Sequence, residues 1–145
     1  LETKVEFLEI KVKTNKRRTR KQRIPWRCHQ PIEVPDVDFK LVPKLYVNYR
    51  RITLWDQETE ERLTLDFDIL FQRFETETKV GIPNVLIAEY KRADHLKSSR
   101  FIQQMKAIRY YPKSISKYCV GVCLTDDGNL KCNRFKGLIS ELTKY

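Results

Sequence analysis

A chain of 145 residues, 41% apolar and 33% charged, suits one domain with a moderate core. No run of about 18 apolar residues occurs, which excludes a membrane-spanning helix within this sequence. The net charge of +10 calls for an anionic partner: nucleic acid, a phosphorylated metabolite, polyphosphate or an acidic lipid surface.

The first predicted element is a strand over residues 4–13, with Leu8, Ile10 and Val12 on one face and Glu9, Lys11 and Lys13 on the other. Leu1 lies close to this strand and there is no initiator Met, so further sequence is expected before it. A basic run, Lys16-Arg-Arg-Thr-Arg-Lys-Gln-Arg23, follows, and the first 23 residues hold nine basic side chains against three acidic. Such a cluster fits a nucleic-acid patch or a localisation signal, but it is continuous with a charged strand instead of standing on a tail. Residues 24–44 carry Pro25, Pro31, Pro35 and Pro43 and read as a connecting segment, because proline removes backbone donors.

Residues 45–54 form a β-rich run with Val47, Tyr49, Arg51 and Thr53 on one face. After a polar turn at 56–61, residues 62–69 alternate Leu63, Leu65, Phe67 and Ile69 against Arg62, Thr64, Asp66 and Asp68, which predicts a hairpin. A further strand, 84–91, sets Val85, Ile87, Glu89 and Lys91 on one face. A carboxylate and an ammonium thus project from an apolar strand, where ionised groups need a partner, a metal or a charged ligand.

Residues 94–109 change period: Ser98, Phe101, Ile102, Met105 and Ile108 fall at helical spacing, with Asp94 as N-cap and Met105 read as core packing. Tyr110-Tyr-Pro112 ends that helix, Ser114 to Tyr118 leads into an apolar run at 119–124, and Phe135, Leu138, Ile139 and Leu142 predict a last helix. Cys28, Cys119, Cys123 and Cys132 show no C-x-x-C spacing, so neither a zinc site nor a disulfide framework is expected and reduced thiols in a cytoplasmic protein are. His29 and His95 read as surface residues.

Lysines and arginines recur on the polar faces of several strands, with a few carboxylates among them. A closed or nearly closed sheet holds such side chains around a cavity that would take a chain of phosphates, and the carboxylates suit a hard divalent cation.

Five short motifs stand in one order: Leu8-Glu-Ile-Lys with its basic continuation to Lys21, Val47-Asn-Tyr-Arg-Arg, Arg62-Leu-Thr-Leu-Asp66, Glu89-Tyr-Lys91 and Ser116-Lys-Tyr118. In this order the chain resembles the VTC domain, the polyphosphate polymerase module of the triphosphate tunnel metalloenzyme (CYTH-like) superfamily. The family's opening strands, with their E-x-E-x-K-like segment and Arg-x-Arg pair, have no counterpart, so residues 1–145 are expected to be the C-terminal two-thirds of such a domain.

The resemblance implies an α+β fold whose antiparallel strands form a barrel-like tunnel, here incomplete, with flanking helices. It implies ATP as donor, polyphosphate or pyrophosphate as acceptor, and Mn²⁺ or Mg²⁺ as metal. Glu89 matches the metal-binding glutamate; Lys11, Lys13, Lys21, Arg51, Arg62, Lys91 and Lys117 match phosphate contacts; and Arg51, Arg62, Lys117 and Glu89 would carry catalysis. Arg50 competes with Arg51, and Arg51 is preferred because it shares a strand face with Tyr49. Asp66 lies inside a matching motif without a role assigned to it.

The expected activity is ATP-dependent polyphosphate synthesis. Its rivals are a tripolyphosphatase or nucleoside triphosphatase in the same tunnel and a non-catalytic polyphosphate-binding module. Nucleic acid is not the expected partner, since no Lys/Arg-Gly-Phe-Gly-Phe signature occurs. A membrane-protein partner is left open.

Overall fold

The computed structural model describes residues 5–13, 19–27, 41–74, 76–92, 99–128 and 130–144. It forms two compact units, Leu1–Val42 and Pro43–Tyr145. The class, among the described residues, is mixed α+β with antiparallel sheets and three helices. Among the described residues neither sheet closes, so the expected barrel is not seen.

The first unit holds a two-stranded hairpin, β1 (Phe7–Lys13) with β2 (Thr19–Pro25), in which Glu9 faces Arg23 and Lys11 faces Lys21. The strand β2 falls in what the sequence offers only as a basic run. Its side chains alternate no apolar face, and pairing with β1 is what makes it a strand. Leu8, Ile10 and Val12 share a face opposite Ile24, Gln22 and Arg20, as the first predicted strand requires.

The second unit contains a four-stranded sheet. The long β4 (Glu61–Arg73) pairs along its whole length with β3 (Leu45–Asp56). On its other side it pairs near its start with β6 (Ile87–Arg92) and near its end with the short β5 (Lys79–Ile82). The predicted hairpin is present, and both of its strands run longer than expected. Its turn is closed by Asp56, whose carboxylate accepts from the Glu58 and Thr59 amides at 2.9 and 3.4 Å, the backbone mimicry expected of aspartate. The polar stretch before Gly81 hides β5, too short and too mixed to alternate visibly.

One irregularity decides which side chains are buried. Asn48 pairs with Leu70 but Arg50 pairs with Phe67, so β4 carries an extra residue there, and Asp68 adopts φ 51°. Aspartate tolerates that left-handed conformation better than an apolar residue would. The bulge moves the alternation by one place. Ile69 and Phe71 therefore lie on the side of Thr64 and Asp66, which corrects the predicted face of Leu63, Leu65, Phe67 and Ile69. Thr64, Asp66, Ile69 and Phe71 are the buried positions of β4.

Helix α1 (Arg100–Ala107) is shorter than predicted and is capped by Ser99, whose hydroxyl accepts from the Ile102 amide; the expected cap Asp94 lies outside the described residues, as do Ser98, Cys28, His29 and His95. Phe101 stacks on Tyr90 with ring centroids 5.2 Å apart, on the face of the sheet opposite Glu89, and Met105, expected as core packing, is only half-buried and stands outside the core cluster.

Helix α2 (Lys117–Leu124), capped by Ser116, forms where the sequence reads only as an apolar run. Its valines and glycine disfavour a helix intrinsically, and packing overrides them. Val120 joins Ile69, Phe71 and Ile82 as the buried core, with Leu45, Val47, Val85, Ile87, Ile115 and Leu124 around it. A 3₁₀ turn, Asn133–Phe135, leads into α3 (Lys136–Leu142), the predicted last helix, whose Leu138 and Leu142 also reach the core.

Gly121 is where α2 touches the sheet. A β-carbon there would collide with Phe71 Cδ1 and lie 2.6 Å from Leu45 Cδ2. Gly121→Ala is expected to destabilise by about 1–3 kcal/mol through overpacking; an unchanged urea midpoint would show that α2 sits elsewhere.

Cys123, on α2, is disulfide-bonded to Cys132 with Cα atoms 5.9 Å apart, while Cys119 is free. This corrects the expectation of reduced thiols throughout. The two cysteines are only nine positions apart, and α2 brings the first back over the turn that holds the second. No helix among the described residues is long and apolar enough to cross a membrane.

Candidate functional site

Antiparallel partners share a face. The register therefore sets Arg51 opposite Asp66 and Asp66 opposite Ile87, Thr64 opposite Glu89, and Arg62 opposite Lys91. Arg51, Arg62, Glu89 and Lys91 thus occupy one face of the sheet. Lys117 is brought to the same face by the first turn of α2. Four cations and two carboxylates gather there, from β3, β4, β6 and α2.

Asp66 is the fixed point. Its side chain is 0% exposed. Arg51 donates from Nε to Oδ1 at 2.5 Å and from Nη2 to Oδ2 at 2.8 Å. Lys117 Nζ lies 2.6 Å from Oδ2. Both cations also sit over the ring of Tyr49, at 5.0 Å for Arg51 and 5.1 Å for Lys117, where the negative π face attracts them.

The hydrogen bond from Arg51 holds the Asp66 carboxyl below the usual carboxylate range, with burial opposing and Lys117 assisting. The same bond keeps Arg51 more firmly protonated. A buried carboxylate under two cations is stable only because both are present.

Glu89 stands at the edge of this cluster. Its carboxylate pairs with Lys91 Nζ at 2.8 Å, and the Thr64 hydroxyl donates to its backbone carbonyl at 3.4 Å. Lys91 chiefly, and Lys117 and Arg51 through space, lower its pKa below the ordinary value, while burial raises it. Glu89 is therefore ionised at neutral pH.

Among the described residues no three His, Cys, Asp or Glu side chains gather to hold a metal ion. Both oxygens of Asp66 are occupied by Arg51 and Lys117. Glu89, its side chain 46% exposed, is the carboxylate of the cluster that is open to solvent. One carboxylate with substrate phosphates completing the shell is a normal way to hold Mg²⁺, so the residues fit a metal shared with a phosphate ligand and not a closed protein site.

Arg62 is exposed and enters no ion pair among those described, next to Lys91 at the far end of the face. Arg50 points to the other face, where it pairs with Asp68 and lies over Phe67, 4.9 Å from its centroid. The alternation within β3 thus separates Arg51 from Arg50 in the way the sequence suggests. Lys11 and Lys21 belong to the hairpin unit, where they and Arg23 surround Glu9 at 2.9, 2.6 and 2.8 Å. The Lys21 contact leads in lowering the Glu9 pKa to about 2. Lys13 ends β1, and its side chain lies outside the described atoms.

Asp66 and Tyr49 are the members that sequence reasoning left without a role. The signal for Asp66 was present: an aspartate between Leu65 and Phe67 in a strand must either face water or find cations.

A mixed α+β domain thus sets four cations and an ionised glutamate on one sheet face. The VTC domain family model matches residues 27–125, more than half of the chain, and the chain belongs to the VTC domain family. Arg51, Arg62, Glu89, Lys91 and Lys117 all lie within the matched span; Lys11, Lys13 and Lys21 precede it. No curated protein and no solved structure matches the chain.

Proposed function

We propose that this domain makes inorganic polyphosphate by transferring the γ-phosphoryl group of ATP to a polyphosphate or pyrophosphate acceptor, with the cationic face of the four-stranded sheet as part of a phosphate-binding tunnel wall. The observation that carries this is the convergence of Arg51, Arg62, Lys91, Lys117 and Glu89 on one face, from segments up to 66 positions apart in the sequence. Membership of the VTC domain family supports a polyphosphate-related role.

Phosphoryl transfer asks little covalent chemistry of a protein. Arg51 and Lys117, held side by side on Asp66, would grip one phosphate group. Arg62 and Lys91, further along the face, would hold the next, so that donor and acceptor lie in line. The guanidinium and ammonium donors would stabilise charge on the equatorial oxygens as it builds. A divalent Mn²⁺ or Mg²⁺, held by Glu89 and phosphate oxygens, would supply charge neutralisation at the transferring group. Lys91 then has two partners, Glu89 in the free protein and a phosphate in the complex. Lys11, Lys13 and Lys21, on the hairpin unit, are proposed to contact phosphate. The proposed setting is the cytoplasm.

The test is incubation of the complete protein with ATP and Mn²⁺, followed by sizing of the products. Long chains with release of ADP support a polymerase, orthophosphate alone a hydrolase, and tight polyphosphate binding without turnover a binding module. Glu89→Ala and Arg62→Ala are each expected to lower metal-dependent polyphosphate formation by about 10²–10³-fold, the scale for removing one transition-state stabiliser. Neither residue is buried, so the circular-dichroism spectrum should not change. Full activity in either variant would refute its assignment.

A further inference from the structure

A surface that only had to attract phosphate would hold no carboxylate, because a negative charge beneath the cations repels the ligand. Yet Asp66 is the most deeply buried charged group of the cluster, and both of its oxygens are spent on Arg51 and Lys117. We infer that Asp66 is a positioning residue: with Tyr49 it clamps Arg51 and Lys117 into a preformed anion seat. The inference rests on the phosphate-binding reading above.

The donor geometry shows how the seat is formed. A guanidinium has five N–H donors and an ammonium three. Asp66 takes one from Nε and one from Nη2 of Arg51, and so fixes the plane of the fork by its inner edge. The outer edge, with both Nη1 hydrogens and the second on Nη2, is left to a ligand, consistent with a side chain that remains 38% exposed. Lys117 gives one donor to the same carboxylate and keeps the others, at 20% exposure.

The ring of Tyr49 lies within 5.1 Å of both cations, so neither is steered by Asp66 alone. The clamp also joins two elements, since Arg51 is on a strand and Lys117 on a helix. Ordering two long, flexible side chains is normally a cost of binding. Here it is met when the protein folds, and the same two cations stay parallel for each incoming phosphate.

The inference separates binding from rate. Asp66→Asn keeps the volume and one acceptor but removes the charge, so repulsion of the ligand falls while the cations lose their fixed geometry. In the complete protein, tripolyphosphate affinity is expected to stay within about threefold, and kcat for ATP-driven polyphosphate formation to fall by about 10²-fold, the scale of misplacing reacting groups by about 1 Å. A purely structural aspartate would instead lower the folded fraction, with kcat per folded molecule unchanged, and that result would overturn the inference.

A second measurement needs no variant. In the wild-type protein the Arg51 Nε–H should exchange with water at least about tenfold more slowly than that of exposed Arg62, as a held and partly buried donor does, and should stay slow with saturating tripolyphosphate. Equal rates, or release on adding tripolyphosphate, would also overturn it. Wild-type protein that neither binds tripolyphosphate nor consumes ATP would remove the functional reading and this inference together. An active wild type with a fully active Asp66→Asn variant would remove this inference alone.

Discussion

Arg51→Met should, on the function proposed above, lower polyphosphate formation by about 10²–10³-fold, because that reading aims this donor at developing phosphate charge. The same change should cost stability. It leaves the fully buried Asp66 with Lys117 as its remaining strong partner. Breaking a buried pair by removing one member costs about 3–5 kcal/mol, and the survival of Lys117 puts the expected loss near the lower end, about 3 kcal/mol. Arg50→Met is the natural control, since Arg50 and Asp68 are both exposed on the opposite face. An exposed pair contributes about 0–1 kcal/mol, and its loss should leave turnover unchanged. Urea denaturation and ATP turnover of the two variants side by side decide the matter. If the Arg50 and Arg51 variants behave alike, the site is on neither face as described.

Phe71→Ala should be the most damaging single change to the second unit. Phe71 is 0% exposed, stands in β4 two residues after Ile69, and is the ring against which Gly121 of α2 rests. Removing a buried phenyl group costs about 3–5 kcal/mol through lost transfer energy and the cavity left behind. Domains of this size are stable by only about 5–15 kcal/mol, and among the described residues this core holds four buried apolar side chains. A second consequence follows from position. Helix α2 carries Lys117 at its first turn, so loosening its seat on Phe71 should weaken tripolyphosphate binding even in molecules that stay folded. A loss under about 1 kcal/mol in denaturation, with tripolyphosphate binding intact, would show that α2 is held by other contacts.

Local pattern made much of this fold legible. The alternation in β1, β3 and β4 and the helical spacing of Phe101, Ile102 and Met105 follow from the two-residue and 3.6-residue periods, and these depend on neighbours along the chain. The elements that were missed have the converse property. Strand β2 has a mixed, basic composition, β5 is four residues long, and α2 is rich in residues that disfavour helix. Each is decided by what it packs or pairs against. The bond between Cys123 and Cys132 belongs with them, because spacing alone did not reveal that a helix and a 3₁₀ turn would bring the two together.

For the site, the identity of the chemical groups could be read from the residues themselves. Arginines, lysines and a glutamate recurring on polar strand faces, in an order that resembles a known family, pointed to phosphate and to a divalent cation. Sequence alone also separated Arg51 from Arg50, since the two must alternate. What only the tertiary structure decided is the burial of Asp66 and its two cationic partners. The bulge at Asp68 turns Ile69 and Phe71 to the side of Asp66, α2 docks on Phe71, and Lys117 is thereby delivered to a carboxylate 51 positions earlier in the chain. Charge and alternation are properties of a residue and its neighbours, whereas the burial of a carboxylate between a strand's arginine and a helix's lysine exists only once both elements have packed.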